Sequence, residues 1–429
     1  MSDHEYEFAT LCLHAGTPPD PATGARATPI YQTASYVFDD TAHAASLFNL
    51  QTFGNVYTRL MNPTTAMFEE RMAALEGGRA AVATSTGMAA QMTALLTILR
   101  NGDEIVAAST LYGGTVSQFA VTFKKMGITT VFVDPDDPQN FENAISDKTR
   151  VIYGETVGNP NNNVLDISAI AEIAHRHDLP LVIDNTFASP YLCRPFEHGA
   201  DIVVHSATKF ICGHGTSMGG IIIESGKFPW DNGKFPDMTN PSEGYHGVKF
   251  YETFGDFAFT MKVRCETLRT LGPTLSPFNS FMMLQGLETL PLRMDRHVEN
   301  AQKAVTFLNQ HELVSWVKYA GDPASPYYAL GKKYLPKGAG SILTFGIKDG
   351  QSAGARFIEN MNFMSHLANV GDAKTLVIHP ASTTHRQLNE EEQLKAGVSP
   401  DMIRISVGLE AINDIIWDID QALQTSQGD

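Results

Sequence analysis

From about residue 79 the chain settles into a rhythm of short apolar runs separated by helical stretches, and this rhythm limits the fold more than any other feature. Residues 80–84, 104–108, 129–133, 151–154, 181–183, 201–205 and 220–223 are nearly continuous apolar runs. Helical patterns intervene at 87–99, over a stretch ending near 125, and at 167–177 behind Asp166, a residue type suited to an N-cap. Strands that are apolar on both faces and alternate with helices imply a mostly parallel sheet covered on both sides, an α/β fold. Residues 1–60 lack the rhythm, are rich in Pro, Thr and Tyr, and read as an arm that wraps something. Residues 226–249 interrupt it with Pro, Gly and Asn and read as an inserted surface loop. Beyond it, 261–268 and 293–308 read as helices, 341–347 and 402–407 as strands of a smaller sheet, and 411–425 as a closing helix. A length of 429 residues allows about three units. They are read as the arm 1–60, a larger domain 61–285 holding the insert, and a C-terminal domain 286–429.

Composition removes several classes of function. Lys and Arg number 31 against 47 Asp and Glu, a formal charge of −16. Neutralising nucleic-acid phosphates, or holding to anionic lipid, requires clustered basic residues, so neither nucleic acid nor a membrane surface is expected as a partner. Hydrophobic residues make up 43%, enough to bury a large core, so a disordered chain is not expected. No apolar run approaches the roughly 18 residues that span a bilayer. The first 20 residues contain no Lys or Arg and no apolar stretch, so no signal peptide is expected. Cys12, Cys193, Cys212 and Cys265 form no C-x-x-C pair, which suits a reducing cytoplasm.

In open α/β sheets, ligands bind beyond the carboxyl ends of the strands. The residues that follow each run are therefore informative. Ser85-Thr-Gly87-Met88 opens a helix, and Tyr112 follows the second run. Glu155-Thr-Val-Gly-Asn159-Pro follows the fourth, Asp184-Asn-Thr-Phe the fifth, and Ser206-Ala-Thr208-Lys209 the sixth. A helix N-terminus for an anion, an aromatic to stack, an amide, a carboxylate and a lysine thus fall at equivalent ends of one sheet. Pyridoxal phosphate needs these parts: a lysine for the Schiff base, a carboxylate to keep the pyridine nitrogen protonated, and N–H and hydroxyl donors for the phosphate. Taken singly, each residue has a plainer reading. Lys209 could be a solvated helix lysine, Asp184 a turn residue, Tyr112 a packing residue, Gly87 a helix–strand contact and Asn159-Pro160 a turn. It is their register on consecutive strands that gives them weight. Rival motifs fail: Gly213-His-Gly215-Thr-Ser-Met218 lacks the final glycine of a dinucleotide loop, and no phosphate-binding P-loop or serine elbow occurs. His175 and His177 lie two apart on a helix, hence on different faces; they read as surface residues, and no metal is expected.

Ser206-Ala-Thr208-Lys209, Val182-Ile-Asp184-Asn-Thr-Phe, Tyr57-Thr-Arg59 and Ser85-Thr-Gly87-Met88-Ala-Ala together resemble the cystathionine γ-synthase/methionine γ-lyase family, the Cys/Met-metabolism branch of fold-type I pyridoxal phosphate enzymes. The likeness extends from about His14 to Asp414. It implies an aspartate aminotransferase-like fold with a seven-stranded, mostly parallel sheet and a smaller α+β C-terminal domain. It also implies roles. Lys209 is the Schiff-base lysine and proton shuttle, and Asp184 the pyridinium partner. Tyr112 is the stacking and acid/base residue. Gly87, Met88, Ser206 and Thr208 bind phosphate. Tyr57 and Arg59 reach that phosphate from a neighbouring subunit, which makes the protein a homo-oligomer, a tetramer by family expectation. Arg404 binds the substrate α-carboxylate, and Asn159 lies by the cofactor's ring oxygen and that carboxylate. Within the family, Gly114, the segment Asn369-Val-Gly-Asp-Ala-Lys-Thr375 before Ile378-His-Pro-Ala-Ser-Thr-Thr-His385, the 226–249 insert and residues 327–340 resemble the O-acetylhomoserine sulfhydrylase branch. Asn369 is the expected counterpart of a serine in the lyases. The implied reaction takes O-acetyl-L-homoserine and sulfide, or a small thiol, to L-homocysteine and acetate; a γ-lyase, a cystathionine γ-synthase and a non-catalytic scaffold are the alternatives.

Overall fold

The computed structural model describes residues 4–384, 386, 389, 393 and 397–427; His385 of the motif above lies outside them. Seven strands form the larger sheet: β1 (Ala80–Thr84), β2 (Glu104–Ala108), β3 (Thr129–Val133), β4 (Thr149–Glu155), β5 (Leu181–Asp184), β6 (Ile202–His205) and β7 (Gly220–Glu224). Their order is β1-β7-β6-β5-β4-β2-β3. β7 runs antiparallel to both β1 and β6, and the other pairings are parallel. The central strands are apolar on both faces because helices cover both, and Val182, Ile183, Val203, Ile221, Ile222 and Ile223 have no exposed surface. Six of the strands therefore end on one edge, and that edge carries the residues singled out from sequence.

A second sheet of five strands takes the order β10-β11-β12-β9-β8. Its members are β8 (Val314–Lys318), β9 (Ile342–Ile347), β10 (Ser365–His366), β11 (Leu376–Ile378) and β12 (Met402–Ser406). The long helix Leu290–Gln310 links the two halves. Its Arg293, 5% exposed, donates to the carbonyls of Phe210, Ile211 and Gly286. That fork of donors satisfies carbonyls immediately after Lys209 and clamps the segment to the helix.

Four local expectations need correction. The arm contains two helices, Phe8–His14 and Thr41–Phe48. The first is tied to its own chain by the buried Arg71, whose guanidinium donates to the carbonyls of Leu13 and Ala15 and to Thr17 Oγ1. The 226–249 insert is no loose surface loop: Phe228, Trp230, Phe235, Met238 and Tyr245 are buried, and Trp230 stacks on Phe259 at 5.4 Å. Aromatic burial outweighs the Pro and Gly content that suggested a loop. Asp166 makes no side-chain cap to its helix and instead accepts from Tyr334 and Lys333. Helix Pro63–Glu76, begun by an Asn62 cap that accepts from the N–H groups of Thr64 and Thr65, and helix Pro277–Glu288 lie outside the rhythm read from sequence.

Candidate active site

At the carboxyl edge of the large sheet lies a cavity of about 390 Å³. Gly87, Met88, Tyr112, Asn159, Asp184, Ser206, Thr208, Lys209, Asn369 and Arg404 all line it. Each arrives by a different route. Thr86 caps the helix Gly87–Ile98 by accepting the Ala89 N–H at 3.0 Å. The first N–H groups of that helix, at Gly87 and Met88, have no intrahelical partner. Gly87 must be glycine, because a Cβ there would lie 2.6 Å from Ser206 Cβ and 2.7 Å from Ser206 Cα. The helix start is thus pressed against the Ser206–Lys209 turn, and Gly87, Met88, Ser206 and Thr208 line one part of the cavity, the Thr208 hydroxyl also bonding to Gly219.

Asp184 ends β5 and accepts from the N–H of Thr186 at 2.9 Å and from its hydroxyl at 2.5 Å. The same hydroxyl accepts the Ser206 N–H at 2.8 Å, so its proton is directed at Asp184. Burial raises the Asp184 carboxyl above the usual range, and the two Thr186 bonds oppose that rise. Beneath it the buried Asn185 is fully engaged: its Oδ1 accepts from Thr156, and its Nδ2 donates to Glu76 and to the Cys193 carbonyl.

Lys209 Nζ donates to Asn369 Oδ1 at 2.5 Å. Burial first, and the Arg404 charge second, pull this amine down to about 8. Asn369 reaches it because Gly371, at φ 74°, lets the 369–371 turn approach; a Cβ there would sit 2.8 Å from the Phe210 nitrogen. Arg404, in the middle of β12, donates to Asn159 Oδ1 at 3.1 Å. Burial depresses its guanidinium to about 10, which leaves it charged at neutral pH. Tyr112 is half exposed at the mouth.

The arrangement offers an amine with a lowered affinity for its proton, a carboxylate at the far wall, hydroxyl and backbone donors at a helix start, and a guanidinium on the opposite sheet. These are the donors and charges that pyridoxal phosphate requires, with the N–H groups of the helix start suited to an anion such as its phosphate. Tyr57 and Arg59 do not join them within one chain. They line a separate recess with Gln32, Thr33 and Thr274, and the Arg59 guanidinium lies 5.2 Å from the Tyr57 ring centroid.

The cavity also holds residues that sequence reasoning left unassigned. Glu155, the last residue of β4, accepts the Tyr112 N–H at 2.7 Å. Gln91, one turn into the helix Gly87–Ile98, accepts from Thr115 and Tyr153 and donates to Gln118. Gln118 in turn donates to the Met88 carbonyl at 3.3 Å. Thr186 was readable as the third residue of an Asp-x-Thr turn. Glu155 was readable as the strand-end counterpart of Asp184. Gln91, Val157, Phe187, Met218, Ala368 and Val370 carried no comparable signal.

The family described as Cys/Met metabolism PLP-dependent enzyme matches residues 9–424. A protein of Leptospira meyeri named O-acetyl-L-homoserine sulfhydrylase is 55% identical over 424 residues, covering 97% of this chain and 96% of its own. The homocysteine/cysteine synthase of Saccharomyces cerevisiae is 51% identical, covering 97% and 98%. A crystal structure of a Campylobacter jejuni protein, described as a putative O-acetylhomoserine (thiol)-lyase bearing N′-pyridoxyl-lysine-5′-monophosphate, superposes with a TM-score of 0.95 at 38% identity. It covers 98% of this chain and 100% of that one.

Proposed function

The chain belongs to the Cys/Met metabolism family of PLP-dependent enzymes, and from that premise we propose that it makes L-homocysteine and acetate from O-acetyl-L-homoserine and sulfide. One observation carries the reading most: Lys209, Asp184 and Arg404 converge on one cavity. The sulfhydrylase and homocysteine synthase names of full-length relatives support the choice of substrate.

Lys209 would hold pyridoxal phosphate through its amine, Asp184 would hold the ring nitrogen, and Gly87, Met88, Ser206 and Thr208 would hold the phosphate. Bound there, the group supplies an electron sink that acidifies the hydrogens next to the amino-bearing carbon. The rest is the chain's own work. Arg404 grips the substrate carboxylate as a charged, planar fork, and Asn159 holds that fork in place. Lys209, once released, takes and returns protons; a buried amine titrating near 8 serves both directions near neutral pH. Asn369 holds the Lys209 amine on the substrate side. Tyr112 flanks the mouth as a second proton-transfer group.

Tyr57 and Arg59 complete the phosphate site of a neighbouring copy, so the working protein is a homo-oligomer, a tetramer built from two dimers, in the cytoplasm. No helix among the described residues is long and apolar enough to cross a membrane. The domain boundaries fall near 60 and 285. Mixing an Arg59→Ala protein with a Lys209→Ala protein should restore part of the activity when subunits exchange; no restoration would remove the shared site. The central experiment is a product assay with O-acetyl-L-homoserine, its succinyl analogue and methionine, each with and without sulfide. Homocysteine formation that needs both the acetyl ester and sulfide is expected. Ammonia release from methionine alone would overturn the reading.

A further inference from the structure

Two carboxyl groups, not one, face this cavity. β4 and β5 are parallel neighbours, and Glu155 stands in register opposite Asp184, each as the last residue of its strand. Adjacent strands lie about 4.8 Å apart, and residues in register project from the same face. Both side chains line the cavity. Two carboxylates this close in a desolvated setting cannot both ionise cheaply; one keeps its proton.

Their partners decide which. Asp184 accepts two hydrogen bonds from Thr186, one from a hydroxyl already oriented by Ser206. Glu155, 7% exposed, accepts a single backbone N–H, that of Tyr112. Burial and the charge of Asp184 push the Glu155 carboxyl well above its usual range. Other groups facing it do not reverse this. Tyr153, two residues earlier on the same face, gives its hydroxyl to Gln91. The Lys209 amine is taken by Asn369, and the Arg404 guanidinium by Asn159.

We infer that Glu155 is a positioning residue that works as a neutral carboxylic acid: it anchors the Tyr112 backbone and leaves Asp184 the one charged carboxylate at this end of the sheet. The inference rests on the functional reading above, because Tyr112 and Asp184 are the groups it serves. Tyr112 precedes the short helix Gly113–Ser117, where its carbonyl accepts the Val116 N–H, and its half-exposed ring makes no cap bond to that helix. The Glu155 contact holds the Tyr112 N–H on the strand side, and with it the start of the segment that carries the phenol.

Glutamine is the discriminating substitution. Its amide keeps an acceptor oxygen, offers N–H donors where the protonated acid has its O–H, and cannot ionise. Three proteins loaded with pyridoxal phosphate are compared: the parent, Glu155→Gln and Glu155→Leu. Glu155→Gln should keep kcat/KM within roughly threefold and leave the pH midpoint of the visible absorbance unshifted. Glu155→Leu should lose about 10²-fold in kcat/KM through a misplaced Tyr112, and should shift that midpoint. Infrared spectra at neutral pH should show a protonated-carboxyl band in the parent that Glu155→Gln lacks. Three results would each overturn the inference: a Gln variant as damaged as the Leu variant, a Leu variant matching the parent in both readouts, or no loss of the infrared band. Failure of the functional reading looks different. A parent protein that binds no pyridoxal phosphate sinks that reading, and the infrared comparison still judges the protonation of Glu155.

Discussion

The two edges of the large sheet carry similar side chains to different ends. At the amino edge stand Glu104, Asp201 and Glu224. Glu104 accepts from the hydroxyls of Ser146 and Thr149. Asp201 accepts from the Leu181 N–H and pairs with His175 at 2.9 Å. Glu224 accepts from the N–H and hydroxyl of Thr260. Every one of these carboxylates is met by donors of the surrounding chain. At the carboxyl edge, Asp184, Glu155 and Lys209 keep atoms facing a cavity of about 390 Å³, which Arg404 enters from the second sheet. Polar residues at a strand end thus say little by themselves; what separates structure from chemistry is whether the chain satisfies them or leaves a space before them.

That contrast can be broken from either side. The largest effect belongs to Lys209→Ala, which should abolish turnover and the visible absorbance of the loaded protein while thermal unfolding changes little. Full activity in that variant would end the assignment of this edge. Arg404→Ala comes next. KM for the amino acid ester should rise roughly ten- to hundredfold, the worth of charged hydrogen bonds, with little change for sulfide. Steady-state kinetics in both substrates check this, and an equal rise in both would deny the carboxylate role.

At the amino edge the effects should appear in stability alone. Burial raises the Glu224 carboxyl from 4.5 to about 7. The folded chain therefore holds a proton that the unfolded chain releases earlier, and stability falls as pH rises from about 4.5 to 7. Glu224→Gln should flatten that fall, by an amount on the order of 3 kcal/mol, with turnover unchanged. Denaturant titrations across this pH range measure it, and an unaltered slope would refute it. The smallest effect is that of His175→Gln. His175 is half exposed, and its bond to Asp201 raises its affinity for the proton. Its contribution is present while the ring is charged and fades as pH rises past the His range. As a solvent-screened pair it should amount to less than about 1 kcal/mol. A loss of activity in either amino-edge variant would erase the distinction between the edges.

Much of the carboxyl edge was legible without coordinates. Short apolar runs marked the strands, and Asp184, Lys209, Tyr112 and Gly87 follow those runs directly, so a position along the chain translated into a position on the sheet. Asn159 follows the fourth run in the same way, but Asn369 and Arg404 came only through the family likeness, since no local pattern links residues 369 and 404 to those strand ends. The fully buried strand periodicity also could not show that β7 runs antiparallel, because an apolar run buried on both faces reads alike in either direction.

What the amino-acid sequence determined by itself was therefore the α/β alternation, the large sheet and the strand-end chemistry, all products of local periodicity and nearest neighbours. The tertiary structure alone decided that Asn369 caps Lys209, that Arg404 rests on Asn159, that Glu155 shares an edge with Asp184, and that the 226–249 insert is anchored by aromatic packing. The reason is physical: burial, desolvation and charge coupling depend on distance in space, and residues 160 and 245 positions apart in the chain acquire a distance only once the sheets have folded against each other.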